Sequence, residues 1–238
     1  MRKKIIAWIK LQVKQSGARG VVIGLSGGLD SCVVAALARQ ALGRKKVLAL
    51  VLPCHSQKQD SQDARLASQK LGIWVKTIDL SDIYDKLVRV LPPANQRART
   101  NLKPRLRMLV LYYFANKLNY LVCGTSNKSE LLTGYFTKYG DGAADILPIA
   151  GLLKRQVRQL AVEIGIPRRI IAKAPTAGLK PGQTDEADMG ISYLELDEIL
   201  GRLAYKKGQA APKTAVAKVI RMHTGSQHKR QMPRMYCP

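Results

Sequence analysis

Chemistry is legible first between Gly20 and Ser31, where the chain reads GVVIGLSGGLDS. A short β-branched run, Gly20–Leu25, leads directly into Ser26-Gly27-Gly28-Leu29-Asp30-Ser31, and an Ala- and Leu-rich helical stretch follows. Small residues let the backbone turn tightly and approach a ligand closely. Their N–H groups, two hydroxyls and a helix N-terminus converge on one spot, which is an anion site suited to phosphates. The loop has no Gly-Lys pair and is therefore not GxxxxGK[ST], nor is it GxGxxG. Asp30 would be out of place beside phosphates unless a cation lay between them. A carboxylate at a phosphate cradle is an arrangement that Mg²⁺ uses, with one or two carboxylates plus phosphate oxygens. The plainer alternative is a glycine turn with Asp30 and Ser31 as ordinary first-turn helix residues. The strand before and the helix after weigh against it.

The segment SGGLDS after a strand resembles the pyrophosphate loop of the N-type ATP pyrophosphatases. Enzymes of that superfamily split ATP into AMP and pyrophosphate while adenylating an acid or a carbonyl. A second block narrows the resemblance: Gly124-Thr125-Ser126-Asn127-Lys128-Ser129-Glu130, then Gly134–Gly142 (GYFTKYGDG), then Asp145 and Pro148. It is similar to NAD synthetase. So are Lys103–Met108 (KPRLRM), Leu153–Val157 (LKRQV), Ala174–Leu179 (APTAGL), Gly182–Glu186 (GQTDE) and His228-Lys229-Arg230. The likeness runs in unbroken order from about residue 20 to the end. Pro104, where the family pattern suggests Ala, departs from it at a helix start, where proline is tolerated.

The resemblance implies a reaction in which the carboxylate of deamido-NAD attacks the α-phosphate of ATP. An acyl-adenylate forms, ammonia attacks it, and NAD and AMP leave. It also implies roles. Gly24, Leu25, Ser26, Gly27, Gly28, Leu29, Asp30 and Ser31 would hold ATP, with Thr125, Lys154 and Thr176. Asp30 and Glu130 would be Mg²⁺ ligands. Arg105, Lys138, Asp145, His228 and Lys229 would contact deamido-NAD. Lys154 would stabilise charge on the α-phosphate. Asp141 would take a proton from ammonium. From the residues alone, Glu130 reads as a solvated helix carboxylate, Lys154 as one of many exposed helix lysines, Asp141 as a turn former beside two glycines, and the HKR triplet as a solvated tail. Glutamine-dependent relatives carry a nitrilase-like amidase domain. The 238 residues leave no room for one, so the expectation is a single NAD synthetase domain over 1–238 that uses ammonia.

These residues need elements to hold them. Apolar periodicity predicts a helix over Arg2–Gln15 and strands over Gly20–Leu25, Lys46–Leu52, Ile73–Ile78 and Tyr120–Cys123. Helices are expected over Leu29–Leu42, Asp60–Leu71, Asp79–Arg89, Arg105–Leu118, Asn127–Thr133 and Leu152–Gly165, with weaker ones near Tyr193–Leu200 and Pro212–His223. Pro92–Asn101 reads as a basic loop. Near-continuous apolar strands separated by helices indicate a parallel sheet covered on both faces. The fold expected is a three-layer, doubly wound, Rossmann-like α/β sheet, and the resemblance makes it adenine nucleotide alpha-hydrolase-like. Ligands then sit beyond the carboxyl ends of the strands, at the switch point. Pro175–Gly190 has three glycines and two prolines and no stripe, and is expected to be a mobile lid over the adenylate.

Composition bounds the remainder. Forty Lys and Arg against 16 Asp and Glu give a net charge of +24, a surface that attracts anions. Aromatics at 5% argue against a base-stacking binder of single strands. Cys32, Cys54, Cys123 and Cys237 are widely spaced with no CxxC, as idle thiols of a cytoplasmic protein would be. No apolar run approaches the roughly 20 residues of a membrane span. The expected partners are ATP, deamido-NAD and ammonia, with Mg²⁺ as cofactor. A homodimer is implied by the resemblance, and neither nucleic acid nor membrane is expected. Two other readings stay open: a tRNA-modifying ligase or thiolase with the same loop, which the charge favours, and a non-catalytic basic module that keeps a nucleotide fold.

Overall fold

The structure is a computed structural model that describes residues 1–180, 182–205, 213–233 and 235–236; Pro212 and Cys237 lie outside them. The chain runs α1 (Arg2–Gln15), β1 (Gly20–Gly24), α2 (Leu29–Leu42), β2 (Val47–Val51), α3 (Lys58–Leu71), β3 (Trp74–Thr77) and α4 (Ser81–Val90). It continues with α5 (Gln96–Thr100), α6 (Leu102–Leu118), β4 (Tyr120–Val122) and α7 (Lys128–Thr133). Then come α8 (Lys154–Glu163), α9 (Arg168–Ala172), α10 (Asp185–Met189), α11 (Tyr193–Tyr205) and α12 (Lys213–Gly225). The four strands are all parallel in the order β3-β2-β1-β4. Winding goes outward from β1 through β2 to β3 and then crosses to β4 on the other side. The switch point therefore lies between β1 and β4, where a crevice opens beyond the strand ends.

Alternation along the strands builds the layers. Val21 and Ile23 of β1, with Val47, Ala49 and Val51 of β2, join one apolar cluster with Ile9 of α1, most of α2 and Val157 and Leu160 of α8. Val22 and Leu50 point the other way, to Tyr84 of α4 and Ala115 of α6. A third cluster, outside the sheet, joins Leu153, Met189, Ile191 and Tyr193 with Leu196 and Ile199 of α11 and Val219 of α12. This cluster fastens the C-terminal helices to the crevice side of the sheet.

Three local expectations differ from the structure. The sheet is not covered on both faces throughout: β3 forms an open edge, with Trp74 58% and Val75 37% exposed. The stretch read as a basic loop contains α5, because Asn95 caps it by accepting the Ala98 N–H at 2.9 Å. Pro175–Gly190 contains α10, capped in the same way by Thr184, which accepts from the Ala187 N–H at 3.2 Å. Pro104 falls in the first turn of α6, where its missing N–H has no intrahelical partner to lose.

Candidate functional site

A cavity of 890 Å³ opens at the carboxyl edge of β1, β2 and β4. Ser26 and Gly28–Ser31 form its floor. The Ser31 hydroxyl donates to the Gly28 carbonyl at 3.0 Å, and the Ser26 hydroxyl lies 3.1 Å from it and accepts the Gly28 N–H at 3.2 Å. The hydroxyls thus fix the turn from within. Gly27 sits at φ +78°, packed against the backbone of α3, so that a Cβ there would run into the Asp60 carbonyl. No side chain caps the N-terminus of α2. An uncapped helix start at the cavity floor offers its amides to an anion.

At one side of that floor three charges meet. Lys154, the first residue of α8, forms an ion pair with Asp30 and lies 3.4 Å from Glu130 Oε1. The three side chains are 4%, 15% and 16% exposed, so this lysine is not one of the surface helix lysines that its sequence context suggests. Each is positioned by neighbours. Asn127 caps α7, its Oδ1 accepting the Glu130 N–H at 3.0 Å, and Glu130 Oε2 accepts the Asn127 N–H at 3.2 Å in return. The Asn127 amide also donates to Asp30 Oδ1 at 3.2 Å, tying the carboxylate after β1 to the one after β4. α8 is held at its start by buried Asp197 of α11, which accepts the Arg155 N–H at 2.7 Å and the Ser129 hydroxyl. Ser129 in turn accepts the Lys154 N–H at 3.1 Å.

Burial drives the electrostatics here. It pushes the Glu130 carboxyl up to about 8, with the Lys154 charge pulling against it. Burial alone would lower Lys154, but Asp30 and Glu130 together outweigh it and hold the ammonium above its ordinary value. Asp185 of α10 is also raised by burial, and Lys154 and the Tyr193 hydroxyl only partly offset this. Tyr193 donates to Asp185 Oδ2 at 3.0 Å, whereas Asp185 Oδ1 is buried without a hydrogen-bond partner among the described residues.

The donor set fits a magnesium ion. Asp30 and Glu130 converge on a point that a cationic group already occupies, beside a phosphate-sized anion cradle. Among the described residues no three His, Cys, Asp or Glu side chains could hold a metal unaided. Phosphate and water oxygens would complete the shell, as Mg²⁺ favours.

The other expected residues divide clearly. Gly24, Leu25, Ser26, Gly28, Leu29, Asp30, Ser31, Thr125, Glu130, Lys154 and Thr176 line the cavity, as do Arg105, Lys138, Asp141, His228 and Lys229. Gly27 and Asp145 do not: Gly27 faces α3, and Asp145 accepts the Val122 N–H at 2.7 Å and the Tyr112 hydroxyl at 3.2 Å on an exposed face. At the far end, Lys138 donates to the His228 carbonyl at 2.7 Å, and Lys229 to the carbonyls of Gly134 and Phe136 at 2.7 and 2.8 Å. The HKR triplet is therefore fastened to the site and is not a free tail. Burial lowers the Lys229 pKa. The Asp141 residue is exposed at the cavity wall; its carboxyl accepts the Thr137 N–H at 2.9 Å, and partial desolvation by the surrounding loop raises its pKa against that bond.

Sequence reasoning passed over several residues that matter here. Arg107 donates to the Leu52 carbonyl at 3.0 Å and the Ser56 hydroxyl at 3.2 Å beneath the cavity. Lys173 bridges Asp60 and Asp63 at 2.7 and 3.0 Å, anchoring the base of the segment that carries Thr176. Lys103 donates to the Leu179 carbonyl at 2.9 Å. Asn127 did have a signal, the N-x-x-E spacing of a capping box; Lys103 and Arg107 lie in the family-like KPRLRM stretch but were given no role there, and Lys173 had no signal.

Sheet order, phosphate loop and carboxylate–lysine cluster together define a nucleotide-binding α/β protein of the adenine nucleotide alpha-hydrolase-like type. The family model described as NAD synthase matches residues 1–233. The chain belongs to that family and is a ligase. It is 48% identical to the NH₃-dependent NAD⁺ synthetase of Archaeoglobus fulgidus, over 97% of this chain and 94% of that one. Among solved structures, the NMN synthetase from Francisella tularensis superposes with a TM-score of 0.91 at 39% identity, covering 99% and 96% of the two chains. The NH₃-dependent NAD synthetase from Campylobacter jejuni does so with 0.86 at 32%, covering 99% and 97%.

Proposed function

We propose that this chain amidates deamido-NAD with ammonia while cleaving ATP to AMP and pyrophosphate, the final step of NAD biosynthesis. The single observation that carries the residue roles is the meeting of Asp30, Glu130 and Lys154 beside the Ser26–Ser31 loop. The loop amides and the start of α2 hold the phosphates, with Thr125 and Thr176 on the opposite walls. Asp30 and Glu130 would hold Mg²⁺, which would supply charge neutralisation for the phosphate oxygens. Lys154 offers a buried positive charge to the α-phosphate as the nicotinate carboxylate attacks it. Arg105, Lys138, His228 and Lys229 bind the anionic dinucleotide at the far end. Asp141 accepts a proton from ammonium, and its raised pKa makes it a better base than an ordinary aspartate.

The working unit is a homodimer, supported by exposed Leu109 and Tyr113 one turn apart on α6. Tyr112, beside them, holds Asp145, which places that residue near the same face. The enzyme is cytoplasmic and needs no nucleic acid. Free, buried Cys32, Cys54 and Cys123 suit a reducing compartment, and no helix among the described residues is long and apolar enough to cross a membrane.

Purified protein given ATP, Mg²⁺, ammonium and deamido-NAD yields NAD, AMP and pyrophosphate in equal amounts, read by mass spectrometry. ADP and phosphate as products would refute the proposal. The Francisella likeness favours a second reading, in which nicotinate mononucleotide is the acid amidated. Offering mononucleotide and dinucleotide in competition decides between them by the ratio of amidated products.

A further inference from the structure

The point between Asp30 and Glu130 is filled by the protein itself. Lys154 Nζ is bonded to Asp30, 3.4 Å from Glu130, and stands over the Tyr193 ring at 5.0 Å from its centroid. We propose that Lys154 is the resident counter-cation of the Asp30–Glu130 pair, that a divalent cation displaces it, and that Asp185 receives the displaced ammonium. The proposal rests on the metal assignment made above and goes beyond it by adding a lysine exchange and an acceptor.

Charge requires the exchange. Two carboxylates balance one divalent cation, and an ammonium left on the same oxygens would face two like charges at contact distance. The lysine must also find another anion, because a buried ammonium without a partner is costly. Asp185 meets each requirement. It is 4% exposed and lines the same cavity, and it lies within electrostatic reach of Lys154. It is not bonded to the lysine now; the Tyr193 hydroxyl holds its Oδ2, Tyr135 adds a further contact to the carboxylate, and its Oδ1 is buried with no hydrogen-bond partner among the described residues. A buried carboxylate oxygen without a donor beside a buried lysine is a vacant acceptor.

The route between the two positions is built. Tyr193 lies under the ammonium, and its hydroxyl reaches Asp185 Oδ2 at 3.0 Å and Glu130 Oε1 at 3.5 Å. The lysine can cross one aromatic face, keeping a favourable contact as it leaves one carboxylate group for the other. Its four-carbon stem permits such a swing with α8 fixed at its start by Asp197 and Ser129. Arrival at Asp185 also reaches the segment bearing Thr176, because the Asp185 N–H donates to the Pro175 carbonyl at 3.0 Å. Metal binding and the placement of Thr176 are thereby coupled through one side chain.

The test uses the whole protein and Mn²⁺ alone, with the free ion followed by electron paramagnetic resonance. Lys154→Gln removes the competitor and should bind Mn²⁺ at least tenfold more tightly than the wild type. Equal or weaker binding would overturn the proposal. Asp185→Asn should weaken Mn²⁺ binding several-fold in the wild-type background and have no effect in the Lys154→Gln background. A loss that persists without the lysine would make Asp185 a direct ligand and not an acceptor. Asp30→Asn should lower affinity in both backgrounds; unchanged affinity there would refute the metal site itself, a separate failure. Should Lys154→Gln not fold, ¹³C NMR of lysine ε-carbons in the wild type reads the same event. The Lys154 signal, assigned by its absence in Lys154→Arg, should move on Mg²⁺ addition, and a signal unmoved at saturation would overturn the exchange.

Discussion

Gly27→Ala and Gly28→Ala add the same methyl group to adjacent residues, and the structure assigns them different consequences. Gly27 has φ +78°, and its new Cβ would overlap the Asp60 carbonyl and come within 3.0 Å of the Ala64 nitrogen. The left-handed conformation alone costs an L-residue about 1–2 kcal/mol. The overlap is with helix backbone, which cannot rotate aside, and overpacking of this kind adds about 1–3 kcal/mol. Together they destabilise the fold by about 2–5 kcal/mol. At about 2–4 °C per kcal/mol for a chain of this size, Tm falls by at least about 4 °C. Gly28 has φ −83° and ψ 162°, extended backbone that any residue adopts, and its Cβ would meet only the Ser26 hydroxyl at 3.2 Å. Its stability should stay within about 0.5 kcal/mol of the wild type. Gly28 lines the cavity, however, and a methyl group there moves the phosphates by a fraction of their contact distance. Misplacement near 1 Å costs about a hundredfold in rate. Calorimetry gives Tm, and pyrophosphate release at varied ATP gives KM and kcat. A Gly27→Ala protein with unchanged Tm, or a Gly28→Ala protein as unstable as Gly27→Ala, would refute the reasoning.

Asn127→Ala removes the cap of α7 and the donor to Asp30, and should cost about 0.5–2 kcal/mol in urea unfolding while raising the KM for ATP. Asp197→Ala leaves the Arg155 N–H and the Ser129 hydroxyl buried without their acceptor, which costs about 1–3 kcal/mol each; calorimetry should show a lower Tm and kinetics a lower kcat, because Lys154 starts that helix. Asp141 must be ionised to accept a proton and its pKa is raised, so activity per unit of free ammonia should fall as pH drops toward a value above the ordinary aspartate range. Asp141→Asn should be slow and lack that acid limb; an unchanged profile would remove Asp141 from proton transfer. Lys103→Met cuts the bond to the Leu179 carbonyl and should speed hydrogen exchange near Leu179 in the ligand-free protein.

The phosphate loop was legible because its motif is contiguous and follows a strand, and the parallel sheet followed from its apolar runs; Glu130 read from the residues alone as a solvated helix carboxylate, and only the resemblance set it beside Asp30. The role of Lys154 came through resemblance, but its burial did not. It is the first residue of an amphipathic helix, and the carboxylates that enclose it are 124 and 24 residues away. The exposure of β3 was not legible because periodicity registers apolar content and not position in the sheet. The helices α9 and α10 are five residues each, too short for a stripe. The expected lid is hydrogen-bonded in this structure: Gln183 accepts the Leu179 N–H at 2.8 Å and Tyr135 donates to Asp188 at 3.0 Å. Those partners are side chains that composition counts as polar and unremarked.

The 124-residue separation of Asp30 from Lys154 sets an order on biosynthesis. Residues 20–60, with the first two strands and the glycine turn, leave the ribosome early and can collapse on local contacts. The counter-charge for Asp30 emerges about 6–25 s later at about 5–20 residues per second. Until then the nascent half-site has Asp30 without Glu130 or Lys154, an incomplete metal and phosphate site that cannot hold nucleotide firmly. A chain paused in translation should therefore ignore ATP. Nucleotide capture by ribosome-bound chains, stalled at successive lengths, would begin only after α8 and the C-terminal helix cluster that holds it have been released.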